Sequence, residues 1–305
     1  LTVRLAVLAD IHGNLPALEV VLDDAEQHRV DTIVVAGDLT GGPQDVQAIQ
    51  RLRSLDSWII RGNREEYLLD FDAQGDKHWA FLRHLYNRLD NDTLDFIASL
   101  PGQCVLALNG AESIRVVHGS PQSSRDMLLP EHDPVTLQAF KEAGLLSPNY
   151  RPARWVGPTF DEIDENVLVC GHTHIPWVQK HGEKLALNPG SVGMPINGDP
   201  RAQYAILAWQ SDRWQAKHRA IPYDTDRTRA AFHENGLLEQ GGGFARACLL
   251  NLGTGQNVPG RFIEYAHQVA AQAGFESDAI FPDAMWEHIE ATFDWEGAVS
   301  GPLQF

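Results

Sequence analysis

Seven side chains able to hold metal ions or move protons stand just beyond short apolar runs of this chain: Asp10, His12, Asp38, Asn63, His118, His172 and His174. All are oxygen or imidazole donors, and no thiol is among them. Such a set suits hard or borderline divalent ions and is large enough for two. The runs that precede them, 3–9, 31–36, 58–61, 114–117 and 167–170, are rich in β-branched and aliphatic residues. Each reads as a strand, with helical patterning between the early ones. That alternation predicts an α/β sheet, whose ligands gather in the crevice beyond the carboxyl ends of the strands.

The elements that must position these residues follow in order. Asn14 can cap a helix with Pro16 in its first turn and Leu15, Leu18, Leu22 and Ala25 on one face, ending near His28. Residues 64–100 are helical in pattern and close at Pro101-Gly102. Strands at 103–108 and 113–117 read as a hairpin through Asn109-Gly110. The stretch 121–158 is too long for an ordinary connection and is expected to be a functional, partly helical excursion near the crevice. Runs at 177–180, 184–187, 204–209 and 214–220 read as a second set of antiparallel strands, which makes two sheets. Beyond Pro222-Tyr223-Asp224 strand patterning stops. Residues 227–234, 261–273 and 283–293 read as helices, with Trp286, Phe293 and Trp295 expected to pack against the main domain. Gly241-Gly242-Gly243 and Gly253-Thr254-Gly255 read as flexible loops. The expected organisation is a domain at 1–224 followed by a helical appendage at 225–305.

Twenty-four Lys and Arg against 41 Asp and Glu leave a formal charge of −17, which repels polyanions and anionic membranes wherever no bound cation reverses the field. Long nucleic acid is therefore a disfavoured partner. No apolar run approaches the roughly 18 residues of a membrane span, and the first residues lack the basic segment of a signal peptide. Secretion and membrane insertion are not expected. Cys104, Cys170 and Cys248 are widely spaced, and the first two lie in apolar runs, as small buried hydrophobes do in a reducing cytoplasm. The nine histidines outside the series, His132 among them, are expected mostly at the surface or in caps. Oligomeric state is not legible.

Taken in order, Asp10-Ile11-His12, Gly37-Asp38, Gly62-Asn63, His118-Gly119 and Gly171-His172-Thr173-His174 resemble the signature of the calcineurin-like metallophosphoesterases, over residues 3 to about 222. Asn188-Pro189-Gly190-Ser191-Val192-Gly193, followed by Asp199-Pro200-Arg201, is similar to the bacterial YfcE-like phosphodiesterase branch. The resemblance implies an α/β fold, a two-sheet αββα sandwich, with two divalent metal ions (Mn, Fe, Zn or Ni, with Mn favoured). It implies a first ion held by Asp10, His12, Asp38 and His174, and a second by Asp38, Asn63, His118 and His172. Asp38 would bridge, and a carboxylate is the simplest ligand able to hold two dications about 3.5 to 4 Å apart. The resemblance further implies that a hydroxide held between such ions would attack a phosphoryl group, with Asp38, Asn63, Arg64 and His118 around the reacting group. No protein nucleophile is required, which sets aside Ser120 and the three cysteines as covalent catalysts.

The sequence departs from the pattern at Arg64, where many relatives carry a histidine that protonates the leaving oxygen. Arginine stays protonated, so its functional role would be charge stabilisation of a phosphoryl oxygen; its structural role would be an ion pair with Glu65 or Asp10. Without a general acid, an activated leaving group is favoured. Arg61 precedes the Gly-Asn pair as in protein serine/threonine phosphatases, but the Asp-Arg-Gly expected after their Gly-Asp is absent from 37–43. The expected activity is hydrolysis of a small phosphodiester or related phosphate ester. The competing readings are a non-catalytic metal-binding scaffold of the same fold, and a nuclease, which the charge disfavours.

Overall fold

In a computed structural model, residues 3–71, 77–108, 110–131, 133–146, 153–276 and 279–300 are described. The chain opens with β1 (Val3–Leu8), α1 (Leu15–Gln27), β2 (Thr32–Ala36), α2 (Asp45–Arg53) and β3 (Ser57–Ile60), and these three strands run parallel. Asn14 caps α1 by accepting the Ala17 N–H at 3.3 Å, and Pro16 occupies the first turn, where it forfeits no helical hydrogen bond. Helices α3 (Asn63–Leu69), α4 (Ala80–Arg88) and α5 (Asn91–Ser99) lead to the antiparallel pair β4 (Gln103–Leu106) and β5 (Ile114–Val117). Leu106 lies opposite Ile114, so the connection is 107–113, longer than a two-residue turn; Asn109 is outside the described residues.

The expected excursion carries β6 (Met127–Leu129), α6 (Pro134–Glu142), β7 (Ala153–Trp155) and α7 (Val156–Thr159), with β6 and β7 paired in parallel. The remaining strands are β8 (Val167–Val169), β9 (Trp177–His181), β10 (Lys184–Asn188), β11 (Ala202–Gln210) and β12 (Arg213–Ile221). Among the described residues that follow are the helices α8 (Thr225–Glu234), α9 (Leu237–Gln240), α10 (Gly242–Asn251), α11 (Val258–Gln272) and α12 (Asp283–Thr292).

The late strands do not form a sheet of their own, as the sequence had suggested. One sheet runs β12-β11-β1-β2-β3 and the other β4-β5-β8-β10-β9. β11 pairs antiparallel with β1, Val3 opposite Trp209, while β10 lies parallel to β8. Every strand of the crevice therefore ends in one of two packed sheets.

Two-residue alternation explains the packing. In β1, Leu5 and Val7 face the second sheet and join Val116, Val169 and Leu187 in a dry layer. Ala6 and Leu8 face the other way, onto Leu18, Val21 and Leu22 of α1 and Ile49 of α2. The outer side of the second sheet is covered by Met127, Phe140 and Val156 of the excursion. The order of layers is helix, sheet, sheet, helix, as expected.

Phe232, Leu237, Ala245 and Cys248 of α8, α9 and α10 join the cluster over α1, whereas Phe262, Phe281, Trp286 and Ile289 form a cluster around α11 and α12. Two expectations are corrected here. Gly242 and Gly243 open α10 rather than lying in a loop. Phe293 and Trp295 pack on Phe262, with centroids 5.3 and 5.2 Å away, rather than on the main domain. Big aromatic rings exclude water among themselves as well as against a sheet, so their presence alone does not name their partner. No described helix is long and apolar enough to cross a membrane.

Candidate metal centre

Each proposed ligand follows the carboxyl end of a strand: Asp10 and His12 after β1, Asp38 after β2, Asn63 after β3, His118 after β5, and His172 and His174 after β8. The first four come from one sheet and the last three from the other. Backbone bonds tie their loops together: the Asp10 N–H donates to Gly37 O at 3.0 Å, the His12 N–H to Asp38 O at 3.1 Å and the Gly171 N–H to His118 O at 2.8 Å. A Cβ at Gly171 would lie 2.9 Å from the Ala9 Cβ and 3.1 Å from the Ala36 oxygen, so glycine is required where the sheets converge.

Five of the seven, Asp10 (φ 56°), His12 (46°), Asp38 (53°), His172 (68°) and His174 (55°), adopt left-handed backbone conformations. Such angles are unfavourable for residues with a side chain, and they cluster where geometry serves a site. Six of the seven are buried, and His172 is half-buried at the mouth.

The side chains converge. His12 Nε2 is 3.1 Å from His174 Nε2, which is 3.3 Å from Asp10 Oδ1. His118 Nε2 lies 3.3 Å from Asp38 Oδ1 and 2.9 Å from Asn63 Oδ1, and Asn63 Oδ1 is also 2.9 Å from His172 Nδ1. Asp10, His12 and His174 form one cluster with metal-binding spacing, and Asp10, Asp38 and His118 form another.

The outward-facing ring nitrogens are spoken for. His12 Nδ1 donates to Thr40 O at 3.0 Å, His118 Nδ1 to Ala36 O at 2.7 Å and His174 Nδ1 to Met194 O at 2.6 Å. A carbonyl only accepts, so in the neutral ring each Nε2 is left as a lone pair directed inward. Lone pairs 3.1 Å apart at His12 and His174 need a shared proton or a cation between them. Four imidazoles, two carboxylates and an amide oxygen match the donor preferences of first-row divalent ions.

Electrostatics keep two of these rings neutral and, with no cation present, favour a proton on His118. Burial alone would raise the Asp38 carboxyl and lower the His118 ring, but their mutual attraction reverses both: Asp38 is held below the usual carboxylate range and His118 is pushed up to about 10. Burial, with His118 beside it, pushes His172 down to about 3, and burial with His174 lowers His12 well below its ordinary value. Two rings are thereby kept as neutral donors.

Arg64 donates its backbone N–H to Asp38 Oδ1 at 2.9 Å, and its guanidinium lies over the Phe244 ring, 5.4 Å from the centroid. It lines the cavity of about 360 Å³ that His172 and His174 also face. The alternative partners are otherwise engaged. Glu65 accepts from Gly62, Asp38 and Thr40, and Asp10 accepts the His172 N–H at 3.1 Å.

Glu65, which sequence reasoning treated only as an ion-pair partner, is a residue that braces the candidate site. Its signal was a carboxylate two places after Asn63, at the start of a helix where an acid satisfies unpaired N–H groups. Asn188 is another, since its Nδ2 donates to Gly171 O at 2.6 Å and to Thr173 Oγ1 at 3.1 Å, bracing the loop between the two late histidines. Ser120 donates to Asp126 at 2.6 Å. Cys170 and Cys248 are buried, while Cys104 is only half-buried; all three are free thiols, raised by burial. Among the other histidines, His84 is buried against Gln240, and His132 is outside the described residues.

An αββα sandwich with a histidine- and aspartate-lined centre at its strand ends, taken with the family the sequence matches, places the chain in the class of metal-dependent phosphoric ester hydrolases. The chain belongs to the calcineurin-like phosphoesterase superfamily, whose domain matches residues 3–212. It is 27% identical over 216 residues to the phosphodiesterase YfcE of Escherichia coli, covering 67% of this chain and 86% of that protein. It is 26% identical over 223 residues to an uncharacterised protein of Methanocaldococcus jannaschii, covering 67% of this chain and 82% of the relative. A metallophosphoesterase structure from Sphaerobacter thermophilus superposes with a TM-score of 0.62 at 25% identity, covering 83% of this chain and 99% of that one.

Proposed function

We propose that the protein hydrolyses a small phosphodiester or related phosphate ester at a dinuclear centre. The observation that carries this reading is the pair of inward Nε2 atoms of His12 and His174, 3.1 Å apart, beside a second cluster of Asp10, Asp38 and His118. Asp10, His12, Asp38 and His174 would hold one ion, and Asp38, Asn63, His118 and His172 the other. Bound ions supply Lewis-acid polarisation of phosphoryl oxygens and activation of water near neutral pH.

The chain's own groups do the rest. Asp38 sets the spacing of the two positions, and the carbonyls of Thr40, Ala36 and Met194 hold the rings in the tautomer that leaves Nε2 free. Arg64 supplies a fixed positive charge toward a phosphoryl oxygen in the cavity it shares with His172 and His174. A guanidinium is no general acid, so esters with good leaving groups are favoured. Residues 225–305 act as an appendage that limits entry, a reading supported by Phe244, Asn257 and Ile263 in the wall of that cavity. Mn²⁺ is the favoured metal, and three free cysteines are consistent with a reducing cytoplasm.

Turnover of bis-p-nitrophenyl phosphate with Mn²⁺, abolished by chelation and restored by metal, is the test. Stoichiometric metal binding with no turnover of any ester would indicate a scaffold. Tight, salt-sensitive binding of long DNA or RNA would indicate a nuclease, against the formal charge of −17.

A further inference from the structure

A second cavity, of about 380 Å³, adjoins the one in front of His172 and His174, and Arg64, Tyr67, Phe244 and Ile263 border both. Its lining comes from α10, α11 and α12, beyond the residues that match the superfamily domain, and from Arg64, Tyr67 and residues around Trp79 within it. Its walls are aromatic: Trp79, Phe244, Phe262, Phe281 and Trp286. Phe281 and Trp286 lie 5.6 Å apart, and Phe262 and Trp286 6.2 Å. Phe262 reaches the start of α10 because a Cβ on Gly243 would come within 2.4 Å of its Cζ. The lining also holds polar groups, Lys77, His267 and Glu290.

We propose that this cavity receives a planar heteroaromatic ring carried by the organic part of the ester, while the phosphorus sits beside His172 and His174. This rests on the phosphoesterase reading and names the substrate class within it. The volume falls in the range that encloses small organic ligands. Flat rings gain most from aromatic walls, through stacking and edge contacts. Lys77 pairs with Glu287 and Glu290 accepts the Gly243 N–H, but the buried Nδ1 of His267 has no hydrogen-bond partner among the described residues. An alkyl chain would fill the same space and leave that nitrogen unmet, whereas the polar edge of a heteroaromatic ring can meet it. Arg64 stands where the two halves of such a substrate join. Its guanidinium face is taken by Phe244, which leaves its in-plane N–H donors for a phosphate oxygen.

The test separates this proposal from the hydrolytic one by using the whole 305-residue chain, chelated, and tryptophan emission, since Trp79 and Trp286 are part of the wall. Adenosine should change the emission saturably, ribose should not, and octyl phosphate should compete more weakly than adenosine. Phe281→Leu should weaken adenosine binding roughly tenfold, the scale of one lost ring contact. Ala279→Trp, a half-buried position in the lining, should block the cavity and covers the case in which Phe281→Leu fails to fold. Absence of adenosine binding, equal binding by both folded variants, or tighter binding of octyl phosphate would overturn the ring pocket. Hydrolysis of bis-p-nitrophenyl phosphate alongside any of those results would leave the phosphoesterase reading standing. Adenosine binding in a protein that hydrolyses no ester would overturn the phosphoesterase reading instead.

Discussion

Glu65 accepts the backbone N–H of Asp38 at 3.0 Å, so a fully buried acid holds the loop that carries the aspartate proposed to bridge two ions. The same carboxylate takes the Gly62 N–H at 2.8 Å and both the N–H and hydroxyl of Thr40, at 2.9 and 2.8 Å. Burial raises this carboxyl above its ordinary range and the charge of Asp38 raises it further, while the four donors oppose both. The loops after β2 and β3 are thereby locked into one register.

Replacing that acceptor with an amide tests the lock. Glu65→Gln turns an N–H₂ toward buried donors, which should cost about 1–3 kcal/mol of stability and lower metal affinity about tenfold or more. Denaturant melts and titration calorimetry with Mn²⁺ give the two values. Unchanged metal affinity in the variant would show that Glu65 serves the fold alone.

Asp38→Asn should keep the fold and lose at least one ion and nearly all hydrolysis, since a neutral amide cannot offset two dications. Elemental analysis and ester turnover are the measurements. Two retained ions with ordinary turnover would refute the dinuclear assignment.

His172→Ala and His174→Ala should deplete different positions. His174 Nε2 lies with Asp10 and His12, whereas His172 Nδ1 lies against Asn63. Cobalt-substituted spectra of the two variants should differ; identical spectra with the same residual metal content would contradict the division.

Arg64→Ala should weaken phosphate inhibition by about 1–3 kcal/mol, the scale of a charge-assisted hydrogen bond. Arg64→His should improve esters with poor leaving groups more than nitrophenyl esters, because an imidazole can deliver a proton. A constant ratio between the two ester types would assign Arg64 to packing on Phe244.

Asp24 predicts a pH dependence far from the metals. Burial would raise its carboxyl, but hydrogen bonds from Arg219, one of them 2.8 Å, and from Tyr204 outweigh this and lower it. Its folded pKa lies below its unfolded value, so its contribution to stability is present above about pH 4 and is lost as pH falls through the folded pKa. Asp24→Asn should cost about 1–3 kcal/mol at pH 7, and the gap from the parent should close on acidification. A gap independent of pH would contradict the assignment.

Local patterns made much of this legible. The β1–α1 unit was readable because two-residue alternation and the Asn14 cap are properties of neighbouring residues. The candidate ligand series could be named from the sequence because strand ends carry site residues, and the fold brings those side chains within a few ångströms of one another. The turn glycines at 242 and 243 were misjudged because a helix start and a loop tolerate glycine alike, and only the Glu290 carboxylate on the Gly243 N–H, 2.9 Å away, separates them.

Residue types and their order, by themselves, determined the layered α/β class, the helical tail and the seven candidate donors. Tertiary structure alone decided which sheet each late strand entered, because pairing β11 with β1 joins residues about two hundred positions apart and depends on which hydrophobic faces meet. It also decided the work of Glu65 and Asn188, whose hydrogen-bond partners come together only when β2 pairs with β3 and β8 with β10. The aromatic cavity is of the same kind. Phe262, Phe281 and Trp286 announce burial in the sequence, but a space beside Arg64 exists only through the way α10, α11 and α12 close on one another.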